Sequence, residues 1–95
     1  MKVRWSETAL TEIENIFAYI HQHNRSAAAA VVSRIEGLTS LLGEFPLIGH
    51  LTDEANARVL PVVRYPYLIF YAIDHSADEV VILHVRHGAQ ERPQS

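Results

Sequence analysis

The chain has 95 residues, 48% of them hydrophobic, and carries a formal net charge of −3 with no cysteine. That length holds one small domain, read as residues 1–95, and the apolar fraction suffices for a single core. The absence of cysteine excludes disulfides, thiolate metal sites and a cysteine nucleophile, and the acidic balance excludes gripping nucleic acid by bulk charge.

The opening MKVRWSETAL lacks the apolar core of a secretory signal. No apolar run approaches the roughly 20 residues that a bilayer span needs. The expectation is a cytoplasmic protein with no membrane contact. Met1 to Trp5 reads as a first strand. Ser6 reads as a helix N-cap, with Glu7 well placed for the helix dipole. Ala9, Leu10, Ile13, Ile16, Phe17 and Ile20 then recur at helical spacing, and Glu12, Glu14 and Asn15 fall on the other side. The helix fades between His21 and Asn24.

A second helix starts near Ser26, where four alanines favour it, and Ala28, Val31, Val32, Ile35, Leu38 and Leu42 give its stripe. Gly37 lies inside this helix, as expected of a close approach by another element. Gly43 reads as its stop, confirmed by Pro46. A short linker makes the two helices an antiparallel hairpin. Residues 44–57 read as a loop. Arg58 to Arg64 is strand-like, and Pro61 marks it as an edge strand or bulge. Tyr65-Pro66 turns into a strand from Tyr67 to Ile73. Residues 74–78 form a polar connection, Glu79 to Arg86 is the last strand, and residues 88–95 read as a flexible tail. The fold class is α+β, ordered strand-helix-helix-strand-strand-strand. The last three strands form an antiparallel meander, and the hairpin packs on one sheet face.

Strict alternation puts Val81, Leu83 and Val85 under the helices and Val80, Ile82, His84 and Arg86 on the opposite face. Arg58, Leu60, Val62 and Arg64 also share a face. Matched registers would gather Arg58, Arg64, His84 and Arg86 on the uncovered side. The bland alternative is that these cations solvate the rim or pair with Asp74, Asp78 and Glu79.

The order and spacing of Ser6 to Ile20 (SETALTEIENIFAYI), Arg58, Val63 to Tyr71 (VRYPYLIFY) and Ile82 to Ala89 (ILHVRHGA) resemble the RelE/ParE superfamily of type II toxin–antitoxin toxins. The likeness runs from Val3 to about Arg92 and is nearer the ParE branch. It implies a bacterial toxin of plasmid-stabilisation type, neutralised by a cognate ParD-like antitoxin. The superfamily divides in mechanism: ParE-like members poison DNA gyrase, and RelE-like members cut messenger RNA on the ribosome.

Both mechanisms can be drawn on this chain. A nuclease needs a general base and acid and cations on the phosphate. Asp53, Glu54 or Glu79 could serve as base, His84 or His87 as acid or base, and Arg58, Arg64 and Arg86 as phosphate holders. Arg64, Arg86 and His87 would be the first catalytic candidates. Against this stand a single lysine, Lys2, the absence of any tyrosine after Tyr71, and the net charge of −3, which suits ribosomal RNA poorly. The residues therefore favour gyrase inhibition without catalysis. Arg58, Arg64, His84 and Arg86 become contacts for antitoxin or target. No cofactor, metal site or sequence-specific DNA binding by the chain alone is expected. Gln90 stands where the superfamily often has arginine, which implies weaker toxicity. His21 and His23 read as favourable cations at a helix C-terminus rather than metal ligands. The exposed helix sides, the Pro61 strand edge and the loop from Phe45 to Leu51 are further candidate partner surfaces.

Overall fold

The computed structural model describes residues 1–91. Its order is β1 (Lys2–Trp5), α1 (Glu7–His21), α2 (Arg25–Glu44), β2 (His50–Leu51), β3 (Ala57–Pro61), β4 (Tyr67–Asp74), β5 (Glu79–His87) and a 3-10 turn at Gly88–Glu91. The five strands form one sheet in the order β1-β5-β4-β3-β2. β1 runs parallel to β5, and every other pairing is antiparallel. The tail expected at 88–95 therefore begins with a 3-10 turn, and its residues 92–95 lie outside the described part.

Cap chemistry sets the helix starts. Ser6 is extended (φ −68°, ψ 159°) and its Oγ accepts from the Ala9 N–H at 3.0 Å. Asn24 caps α2 in the same way, accepting from the Ala27 N–H at 3.0 Å. Each cap satisfies a first-turn donor that the helix itself cannot. Only Gln22 to Asn24 separate the helices, which forces the antiparallel hairpin.

The hairpin covers one face of the sheet. Ala9, Val31, Ile35 and Leu42 from the helices meet Tyr67, Ile69, Tyr71 and Ile73 from β4 and Val80, Ile82 and Val85 from β5. Along β4, residues 67, 69, 71 and 73 are buried and their neighbours only partly so, the period of a strand with one covered face. Burial of this set is the main stabilising term for so small a domain.

β5 departs from simple alternation. Phe70 pairs with His84 and Tyr71 with Ile82, so Leu83 is an extra residue. This β-bulge shifts the phase of the strand. Val80, Ile82 and Val85 consequently face the helices, and Val81 and Leu83 do not. The even alternation read from the sequence holds for Val85, His84 and Arg86 and is reversed for the four residues before them.

Three further differences have plain causes. β2 is two residues long, too short to leave a periodic signal, and it covers the β3 edge at Arg58 and Val59. α2 continues through Gly43 to Glu44. Gly43 is small because β1 passes against it: an added Cβ would lie 2.8 Å from the Met1 carbonyl oxygen, and the Met1 amino group donates to the Gly43 carbonyl at 2.9 Å. At Gly37 such a Cβ would meet nothing within 4 Å, so the close approach belongs to Gly43.

Candidate functional site

β1 pairs with β5 only as far as Ile82, which leaves the outer edge of β5 open from Leu83 onward. Unpaired edge groups need other partners, and the chain supplies them from α1. The Ser6 N–H donates to the Ile82 carbonyl at 3.0 Å, and Ser6 Oγ donates to the Leu83 carbonyl at 3.1 Å. Six residues further along, Glu12 Oε1 accepts the Val85 N–H at 3.1 Å.

The Glu12 carboxylate also organises two cations. Arg86 Nε donates to Glu12 Oε2 at 3.5 Å, and His84 Nδ1 lies 3.3 Å from Glu12 Oε1. Arg86 Nη2 reaches the same His84 Nδ1 at 3.2 Å. The two contacts at Nδ1 answer to different states. An unprotonated Nδ1 accepts from Arg86, and a protonated one donates to Glu12. The side chains of Glu12, His84 and Arg86 are 24%, 33% and 37% exposed, so the cluster is accessible to a partner.

Arg86 stands between two clefts. One, of about 680 Å³, opens between α1 and the end of the sheet, with Glu12, Asn15, Tyr19, Tyr67, Arg86 and His87 on its walls. Burial pushes the Tyr67 hydroxyl above its ordinary value of 10, and Tyr19 adds to the effect. His87 meets Tyr67 edge-on at 5.6 Å, and its Nδ1 accepts from the Ala89 N–H at 3.1 Å. The other cleft, of about 470 Å³, lies over the uncovered face. Phe70 and Leu83 line it, with Asp53 and Glu54 as well as His84 and Arg86 around it.

The four residues expected to converge do not all meet. His84 pairs across from Phe70, and Arg86 from Leu68, on the face away from the helices. Arg58 pairs across from Tyr71, whose side chain is buried in the core, so it lies on the opposite face. Its Nη1 donates to the Gly49 carbonyl at 2.9 Å and to the Leu47 carbonyl at 3.4 Å. Tyr71 holds the same loop, donating to the Pro46 carbonyl at 2.7 Å and accepting from the Gly49 N–H at 2.8 Å. Arg58 thus braces residues 46–49. Leu60 and Val62, expected beside it on an open face, pack in the core.

Arg64 is not on a strand. It occupies the turn before β4 with φ 78°, a left-handed conformation that costs a residue with a Cβ about 1 kcal/mol. It is exposed. The turn lies at the Arg86 end of the sheet, where the Gly88 N–H donates to the Pro66 carbonyl at 2.7 Å. Arg64 therefore lies toward the Arg86 end of the sheet, whereas Arg58, only one step along β4 from His84 in register, is separated from it by occupying the other face.

Glu12 escaped the sequence reading because it was assigned to the polar side of α1. Its spacing was the available signal: it falls three residues after Ala9 and four before Ile16, within the buried stripe. A carboxylate at such a position needs a partner, and the partner lies 72 residues away on β5.

Two helices on one face of a five-stranded mixed sheet is the fold of the ParE/RelE class of toxins. A chain of the chromosomal ParDE TA system from P. aeruginosa superposes with a TM-score of 0.81 at 18% identity, over 92% of this chain and 95% of that one. A chain of the RelBE2 toxin–antitoxin complex from Mycobacterium tuberculosis gives 0.59 at 28% identity, over 90% and 95%. Residues 3–92 match the ParE toxin of type II toxin–antitoxin systems, parDE. A Sinorhizobium fredii protein named, provisionally, toxin Y4kP is 37% identical over 93 residues, covering 98% of this chain and 94% of that protein. The chain belongs to the ParE toxin family.

Proposed function

We propose that this toxin acts by binding and inhibiting DNA gyrase, and that a ParD-like antitoxin neutralises it in the bacterial cytoplasm. The supporting observation is the character of the uncovered face. Leu68, Phe70, Val81 and Leu83 are partly exposed there, beside His84 and Arg86. An apolar field with a cationic rim suits a protein partner carrying carboxylates, since desolvated apolar contact supplies affinity and the charges supply orientation. It suits a phosphate backbone less well, because Glu12 already offsets the rim charge and the chain is acidic overall. Arg64, His84 and Arg86 are the proposed contacts. Arg58 contributes indirectly, by holding the loop.

One observation keeps a second reading in view. The cleft over the uncovered face is lined by Asp53 and Glu54 as well as His84 and Arg86, residue types that can serve as general acid and base in RNA cleavage. The test runs both reactions on the purified chain: gyrase with ATP and relaxed plasmid, and programmed ribosomes with messenger RNA. Blocked supercoiling with intact messenger is expected. Cut messenger with unaffected gyrase would replace the gyrase reading with the nuclease one.

A further inference from the structure

Two neighbours of His84 make opposite demands on one atom. Its Nδ1 lies 3.2 Å from Arg86 Nη2 and 3.3 Å from Glu12 Oε1. Arg86 Nη2 is also 3.4 Å from Nε2 of the same ring. A guanidinium only donates and an ionised carboxylate only accepts. The neutral ring therefore serves Arg86 through a lone pair, and the protonated ring serves Glu12 through Nδ1–H. Protonation also sets a second cation against the guanidinium, and turning the Nη2 end away from the ring relieves the repulsion. Arg86 Nε, 3.5 Å from Glu12 Oε2, need not move with it.

Among the described residues, the charged groups around the ring come from three elements. Glu12 stands on α1 and Arg86 on β5 itself. Asp53 and Glu54, between β2 and β3, border the same cleft as His84. Ser6 and Thr8 add only hydroxyls to that cleft, and β4 sets the uncharged Phe70 across from His84. Carboxylates and guanidinium groups keep their charge over the range, about pH 5 to 8, in which histidine changes its own. The ring is thus the member of this cluster that switches.

We infer that His84 is a proton-operated latch on Arg86. The neutral ring holds the guanidinium. Protonation hands Nδ1 to Glu12, releases Arg86 Nη2 from the ring and adds a positive charge to the same rim. The uncovered face then takes a partner's carboxylates more tightly in mild acid than in mild alkali. That consequence rests on the reading above, in which His84 and Arg86 meet a carboxylate-bearing protein; the latch itself does not.

The experiment tests each part. NMR of the full chain establishes a pH at which the His84 ring is charged and one at which it is neutral, and crystals grown at each show Arg86. Nη2 should lie within hydrogen-bond distance of the ring in the neutral form only, with Nδ1 on Glu12 in the charged form. An Arg86 that keeps the same contact in both would overturn the latch. Fluorescence anisotropy then follows a labelled peptide of alternating leucine and glutamate at the same two pH values and constant salt. Binding about threefold tighter at the lower pH is expected from one added surface charge. His84→Gln, which keeps a hydrogen-bonding group but takes up no proton, should abolish the difference. His75→Gln, at an exposed histidine in the connection before β5, should preserve it. Equal affinity at the two pH values, or a difference that survives His84→Gln, would overturn the effect on binding. A peptide that binds at neither pH would count against the carboxylate-bearing partner alone, because the crystals still decide the latch.

Discussion

Replacing Glu12 by alanine removes three partners at once. The Val85 N–H loses its acceptor at 3.1 Å, Arg86 loses a carboxylate at 3.5 Å, and His84 loses a neighbour at 3.3 Å. The strand-edge hydrogen bond is the larger loss. A bond to a charged acceptor contributes about 1.5–3 kcal/mol. The Arg86 pair is long and its guanidinium is 37% exposed, so it adds no more than about 0.5 kcal/mol. Glu12→Ala should therefore cost about 2 kcal/mol, or roughly 8–16 °C in Tm for a domain of this size. Glu12→Gln keeps an oxygen for Val85 and should cost about half as much. Urea unfolding followed by circular dichroism measures both, with a double-mutant cycle against Arg86→Ala to isolate the ion pair. Losses below about 0.5 kcal/mol in both variants would mean that water replaces the carboxylate at the β5 edge, and the view of Glu12 as its organiser would fail.

The two glycines of α2 should respond with opposite signs. Gly37→Ala places its Cβ in open space and should gain about 0.5–1 kcal/mol of helix stability. Gly43→Ala drives a Cβ to 2.8 Å from the Met1 carbonyl and should lower stability, both read from urea midpoints. Tyr71→Phe strips the buried Gly49 N–H of its acceptor and should cost about 2 kcal/mol. Burial raises the Tyr71 hydroxyl above its ordinary value of 10.0, against smaller lowering by the Gly49 N–H and Arg58. The unfolded chain then ionises first, so stability is complete below pH 10 and falls as pH rises beyond it. Thermal melts between pH 8 and about 11 should show a shallower alkaline loss in Tyr71→Phe than in the wild type. Arg64→Gly relieves a left-handed residue and should raise stability by up to about 1 kcal/mol. It should at the same time weaken antitoxin binding in a pull-down, and unaltered binding would remove Arg64 from the contact surface.

Local chemistry was legible in the sequence, and register was not. Ser6 announced the first helix because an N-cap works through residues three positions away. The fold class followed from the spacing of the helical stripes and the short links between the last strands. His84 and Arg86 were placed on the uncovered face, although the alternation used to place them fails at Leu83, where the bulge reverses the residues before it. Arg58 was grouped with Leu60 and Val62, and the three do share a face. Nothing in β3 itself says which face the helices cover, and pairing with Tyr71 puts Arg58 on the helix side. The close approach expected at Gly37 belongs to Gly43, since it depends on where β1 passes, and neither glycine stops the helix. Glu12 stayed hidden because its partners are remote in sequence.

The most direct test of the account measures gyrase supercoiling with purified toxin carrying His84→Ala and Arg86→Ala together, against the wild type. Circular dichroism would establish that both are folded. The wild type should block supercoiling, and the folded double variant should need at least about tenfold more protein for the same inhibition, as expected when paired contact charges are removed. Equal inhibition by the two proteins would show that the Glu12-organised end of the sheet is not where this toxin meets its target.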